Sequence, residues 1–261
     1  MFRHLKFAAT VAVASLVFSA AALAQNGSRL DQIVSKGTLR VGMTGDYRPF
    51  TFFNPTTSKF EGFDVDMAEA LGKAMGVKVE FVKTSWPTMM KDFEADKFDV
   101  ATGGVSITLD RQKKGQFSQP IMREGKTPIA RCTDVSKYQT LEQIDKPDVR
   151  VIVNPGGTNE KFARAHLKAA KITVYHDNVT IFDQIAKGDA DLMMTDASET
   201  RFQQKQHAGV LCAVHPDHPF DFSEKGIWMQ RDAALKDFVD LWLHIMTETG
   251  DYKKLFAKYF N

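Results

Sequence analysis

Short apolar runs alternate with helical patterns along this chain, and the alternation occurs twice. In the first pass, Thr38-Leu39-Arg40-Val41-Gly42, residues 77–82 and Phe98-Asp99-Val100-Ala101 read as strands. An Ala/Leu/Met-rich helical pattern closing at Gly76 and a second from Trp86-Pro87 to Ala95 lie between them. The second pass has strands at 149–153, 172–175 and 189–194, with helices at 160–170 and from an Asn178 cap to Lys187, stopped by Gly188. Such a grammar specifies an α/β fold with mostly parallel sheets. No low-complexity linker separates the halves. The expected joins are extended segments near 128–131 and 219–222, so the chain passes between two lobes twice. Residues 25–130 with 220–261 form one lobe, and 131–219 form the other. A helix over 232–248 and the aromatic tail return to the first lobe.

The N-terminus sets the compartment. Arg3, His4 and Lys6 precede an apolar run over 7–20, and Ala22-Leu23-Ala24 supplies a small-x-small cleavage site. The run is short for a membrane span. Residues 1–24 are therefore expected to be a signal peptide, giving an exported, periplasmic chain with no membrane insertion after cleavage. The leader holds two of the 34 basic residues and none of the 32 acidic ones, so the remainder is charge-balanced. That balance argues against a nucleic-acid partner. The chain has two cysteines, Cys132 and Cys212, and an even pair in an exported protein reads as one disulfide. A catalytic thiol would need an activating neighbour, which neither sequence context offers.

Ligands of open α/β sheets sit beyond the carboxyl ends of the strands. That rule gathers the loops 46–50, 103–111, 154–159 and 196–199 at one cleft, with Trp86 beside them. Within 103–111, two glycine amides, the hydroxyls of Ser106 and Thr108 and the Arg111 guanidinium suit a carboxylate. A plain turn with Arg111 in water fits the same residues. Gly156-Gly157-Thr158-Asn159 at a helix start is a second anion cradle, or an ordinary strand-to-helix turn. Tyr47, Phe50 and Trp86 offer apolar walls, and Trp86 equally suits a core position. Asp191-Leu192-Met193-Met194-Thr195-Asp196-Ala197-Ser198-Glu199 is the richest stretch: a strand entering a helix with carboxylates at Asp196 and Glu199. Asp196 suits an amino group, and Glu199, one turn later, can deliver a proton. His215 and His218 lie in a Pro-bounded loop without metal-ligand company.

Taken together these residues resemble the type II periplasmic solute-binding proteins of the polar amino-acid class. The markers are Gly45-Asp46-Tyr47-Arg48-Pro49-Phe50, Gly62-Phe63-Asp64-Val65-Asp66, Ser106-Ile107-Thr108 with Arg111, and Phe117-Ser118-Gln119-Pro120. Longer runs are similar to the periplasmic cyclohexadienyl dehydratases within that superfamily. They include Thr84-Ser85-Trp86-Pro87, Arg123-Glu124-Gly125-Lys126-Thr127-Pro128-Ile129, residues 153–165, Asp177-Asn178-Val179-Thr180-Ile181-Phe182, residues 193–197 and Cys212-Ala213-Val214-His215-Pro216. The resemblance implies a two-lobed fold with two crossovers and a central cleft. It implies decarboxylating dehydration of prephenate and arogenate, with Glu199 as general acid and no cofactor or metal. The implied binding set is Arg111, Ser106, Thr108, Asp196, Trp86, Asn154, Gly157, Thr158, Tyr47 and Lys126. A homo-oligomer stays open. The competing class is a receptor that delivers an amino acid or dicarboxylate to a membrane transporter. Such a receptor can use Arg111 and Asp196 but has no use for a protonated Glu199.

Overall fold

The computed structural model describes residues 27–261, so the expected signal peptide lies outside the described residues. Two five-stranded sheets share one plan. In the first, strands Lys78–Lys83, Thr38–Met43 and Val100–Ala101 run parallel, and Trp228–Met229 and Gln116–Phe117 complete the order. In the second, Lys171–Val174, Arg150–Val153 and Leu192–Asp196 are parallel, followed by Lys126–Arg131 and Leu211–Ala213. In each sheet the last two strands pair antiparallel.

Buried strands of a parallel sheet read as continuous apolar runs when helices cover both faces. Residues Leu192, Met193 and Met194 meet that condition, with Leu192 and Met194 in the cluster around Val151 and Val153, and Met193 in the cluster around Ile181 and Phe182. The first sheet packs on a core of Leu39, Val41, Phe63, Leu71 and Val239. The tail forms the helix Asp251–Phe260, whose Tyr252, Phe256, Tyr259 and Phe260 surround the ring of Phe63 edge-on. A disulfide joins Cys132 to Cys212, tying the end of the first strand of the second sheet to its edge strand.

Between the sheets, Met122–Glu124 on the outward path pairs antiparallel with Ser223–Lys225 on the return path. The segment 128–131, expected as a join, lies inside a strand of the second sheet. We accordingly place the crossings at this two-stranded ladder. Two other elements differ from expectation. The helix expected over 160–170 is Thr158–His166. Asn178 does not cap the helix Ile181–Lys187; its side-chain amide donates to the carbonyl of Asp46, 2.9 Å away, linking loops beside the two sheets. Elsewhere the loops touch backbone to backbone. A Cβ on Gly156, at φ 75°, would lie 2.7 Å from Pro87 Cα. Among the described residues no helix is long and apolar enough to cross a membrane.

Candidate active site

The buried strand Leu192–Asp196 runs directly into the helix Ala197–Gln206. A surface helix ordinarily turns its apolar stripe inward. This one buries Ser198, Glu199, Thr200 and Gln203 beside Ala197, so its inner face is mostly polar. Two of its first amides are anchored across the sheet: Ala197 N–H donates to the Gly125 carbonyl at 3.0 Å, and Ser198 N–H to Glu124 Oε2 at 3.2 Å.

Asp196 is held by three donors. Its Oδ1 accepts from Lys126 Nζ at 2.6 Å, and its Oδ2 accepts from Lys225 Nζ at 2.6 Å and from Tyr47 Oη at 2.5 Å. Burial pushes this carboxyl up, but the two ammonium groups outweigh burial and hold it well below the usual carboxylate range. The trio of one carboxylate and two lysines carries one positive charge in excess, which suits an anionic ligand. Lys126 spends its other two protons on Thr158 Oγ1 at 2.9 Å and Asn159 Oδ1 at 2.5 Å. Lys225 also donates to Ser106 Oγ at 2.9 Å and sits 5.3 Å from the centre of the Tyr47 ring.

A chain of polar side chains reaches Glu199. Asn159 Nδ2 donates to Asn154 Oδ1 at 2.9 Å and to Thr195 Oγ1 at 3.0 Å. Thr195 Oγ1 in turn donates to Glu199 Oε2 at 2.5 Å. With one hydrogen and two lone pairs, the Thr195 hydroxyl can accept from Asn159 and still exchange a hydrogen bond with Glu199. Glu199 is 1 % exposed. Burial raises its carboxyl to about 8; the Thr195 hydrogen bond opposes the rise, and the charge of Asp196 adds to it.

Arg111 follows Thr108, which caps the short helix Leu109–Gln112 by accepting from Arg111 N–H at 3.3 Å. The buried guanidinium donates to the Ser106 carbonyl at 2.8 Å and makes no ion pair among the described residues. Burial lowers it to about 10 while Asp196 opposes the fall, so it remains cationic at neutral pH. The Gly103 and Gly104 amides, read from sequence as free, donate to Asp64 Oδ2 at 2.7 and 2.6 Å. That loop offers its hydroxyls and guanidinium to a ligand, but not these amides.

Two cavities meet at Trp86, Gly157 and Thr158. One of about 150 Å³ includes Thr108 and Arg111. The other, about 20 Å³, includes Tyr47, Ser106, Asn154, Asp196 and Lys225. A single water needs about 10–15 Å³ by this measure, so a ring-bearing ligand enters the inner space only with the lobes further apart. Trp86 borders both cavities, its indole N–H donating to Asp46 Oδ1 at 3.0 Å and its ring lying edge-on to Tyr47. Phe50 stacks on Tyr47 and is fully buried, outside both linings. The structure thus brings together Tyr47, Trp86, Ser106, Thr108, Arg111, Lys126, Asn154, Gly157, Thr158 and Asp196, with Glu199 joined to them through Thr195. Sequence reasoning placed Asn159 in the anion cradle and Asp46 in a cleft loop, but missed Lys225 and the linking role of Thr195. Among the described residues no cluster of His, Cys, Asp or Glu has the makings of a metal site.

This cleft between two like sheets is matched elsewhere. Residues 39–261 match the bacterial extracellular solute-binding proteins, family 3. The chain belongs to that family. Among related proteins, a cyclohexadienyl dehydratase of Pseudomonas aeruginosa is 55% identical over 249 residues, 95% of this chain and 91% of the relative. An L-cystine-binding protein of Escherichia coli K12 is 28% identical over 167 residues, 64% of this chain and 62% of the relative. Among solved structures, an ancestral amino acid-binding protein described as a precursor of cyclohexadienyl dehydratase superposes with a TM-score of 0.82 at 37% identity. It covers 90% of this chain and 100% of its own. A variant of an ancestral cyclohexadienyl dehydratase is 54% identical, with a TM-score of 0.56 and coverage of 90% and 97%.

Proposed function

We propose that this family 3 protein is a cyclohexadienyl dehydratase, acting on prephenate and arogenate after export to the periplasm behind a cleaved leader. The observation that carries the reading is Glu199: a buried carboxyl raised to about 8, one helical turn from a carboxylate that stays ionised. Carboxyls in separated environments mark acid chemistry. A relative 55% identical across nearly the whole chain supports the same reading.

In this reading Arg111 and the lysine-rich side of the cleft hold the two carboxylates of prephenate, and Trp86 and Tyr47 flank its ring. The ring carboxylate leaves as carbon dioxide, and its bonding pair becomes part of the aromatic system. The hydroxyl on the opposite ring carbon leaves with the Glu199 proton as water. Phenylpyruvate remains, or phenylalanine from arogenate, and Glu199 recovers its proton from solvent. Aromatisation supplies the driving force, so orientation and one proton suffice. General acid catalysis contributes about 10²–10⁴-fold.

A receptor role is the second reading, favoured by the likeness to an ancestral amino acid-binding protein. Incubation with prephenate separates the two. Phenylpyruvate, read as its strongly absorbing enol in alkali, is the expected product. Unchanged prephenate together with tight binding of an amino acid would overturn the enzymatic reading.

A further inference from the structure

Prephenate and arogenate differ at one carbon, where the first has a keto oxygen and the second an ammonium. A keto oxygen accepts hydrogen bonds, and an ammonium only donates them. In the cleft, Asp196, Ser106 and the faces of Tyr47 and Phe50 enclose a place for one ammonium. Carboxylate, hydroxyl and aromatic faces are the groups that hold such a cation. The chain fills that place itself. Lys225 Nζ donates to Asp196 Oδ2 at 2.6 Å and to Ser106 Oγ at 2.9 Å. It lies 5.3 and 5.9 Å from the centres of the Tyr47 and Phe50 rings.

The main chain of Lys225 is fixed in the ladder between the lobes. Its carbonyl accepts from Ile121 N–H at 2.8 Å, and it bridges to Ser106 on the other side. The residue is 1 % exposed and borders the inner cavity together with Ser106 and Asp196. Arg111 donates to the carbonyl of the same Ser106 whose hydroxyl Lys225 engages. The two cations thus flank one residue, and a ligand carboxylate on Arg111 brings the adjacent carbon toward Lys225.

What that carbon's substituent meets follows from a count of hydrogens. Lys225 has three; Asp196 and Ser106 take two, and it makes no third hydrogen bond among the described residues. A keto oxygen can accept the one that remains. An ammonium meets the opposite situation. Asp196 Oδ2 already accepts from Lys225 and Tyr47, and Oδ1 accepts from Lys126. A ligand ammonium would be the third cation around one carboxylate, repelled by the other two. It takes the place on Oδ2 only by displacing Lys225.

We propose that Lys225 discriminates α-keto from α-amino acids in this cleft, holding the place of a ligand ammonium and offering its remaining hydrogen to a keto oxygen. The inference deepens the dehydratase reading, which supplies the two substrates, and its binding arm needs no turnover.

The test is Lys225→Met, which keeps an unbranched side chain and removes the charge, beside Lys225→Gln, which removes the charge but can still donate. Asp196 keeps Lys126 and Tyr47 in both, so neither change strands a buried charge. Two ratios are read: kcat/KM for arogenate over prephenate and, by calorimetry, affinity for phenylalanine over phenylpyruvate. Both are expected to rise at least about tenfold in Lys225→Met, the equivalent of one charge-assisted hydrogen bond, and to rise less in Lys225→Gln. Ratios unchanged from wild type, in a protein that turns over prephenate, would overturn the role of Lys225 and leave the dehydratase reading standing. A higher binding ratio in the variants, where wild type turns over neither substrate, would support the role of Lys225 and overturn the dehydratase reading instead.

Discussion

Replacing Glu199 with glutamine tests a proton and a folding cost in one variant. In the native fold the carboxyl sits at about 8, against an ordinary 4.5. Each pH unit between the two corresponds to about 1.4 kcal/mol. An ionised Glu199 therefore costs the fold on the order of 5 kcal/mol once the pH exceeds 8. The sign follows from proton counts. Between 4.5 and 8 the native state holds a proton that the unfolded state has released, so this contribution is complete below 4.5 and is lost as the pH rises through 8. At pH 7 neutral Glu199 outnumbers ionised Glu199 by about ten to one. Wild-type kcat for prephenate should be level through neutrality and fall about tenfold per pH unit above 8. Glutamine keeps the shape but delivers no proton, so kcat should drop about 10²–10⁴-fold and the limb near 8 should vanish. KM should change little. Urea titrations at several pH values should show the glutamine variant escaping the loss of stability expected of wild type between pH 4.5 and 8. Both readouts are needed: phenylpyruvate formation for the proton and denaturation for the burial. Wild-type turnover in the variant, or an unchanged limb near 8, would refute the assignment.

Three other substitutions probe the surroundings. Arg111→Lys keeps the charge but loses the planar fork, so KM should rise sharply with a smaller change in kcat; unaltered kinetics would place Arg111 outside the binding set. Asp196→Asn leaves Lys126 and Lys225 buried without their common counter-charge, and should destabilise the fold by about 3–5 kcal/mol in denaturant titrations. A loss below about 1 kcal/mol would mean that the lysines find other company. Replacing both Cys132 and Cys212 with serine should cost about 2–5 kcal/mol of stability while leaving kcat intact, and a large kcat loss at full folding would contradict a structural role.

What could be read from sequence followed the range of the interactions involved. Asp196 and Glu199 were legible because one strand-to-helix transition carries both. The alternation of strands and helices was legible because each element announces its own period. Lys225 was not, since it comes from a three-residue ladder strand with no motif and reaches Asp196 only after both crossings are made. The glycine amides at 103 and 104 were misread because Asp64, far upstream, claims them. Asn178 was read as a helix cap because capping is local, whereas the carbonyl it meets belongs to Asp46.

Gly156 carries a consequence of a mechanical kind. Its missing side chain is the clearance between two stretches of main chain, with Pro87 Cα only 2.7 Å from where a β-carbon would sit. Side chains can rotate out of a tight contact, but a Cα cannot. In this arrangement the jaws meet a hard stop made of covalent geometry, which sets the deepest closure open to them. A methyl group at position 156 would act as a shim, holding the jaws short of that stop.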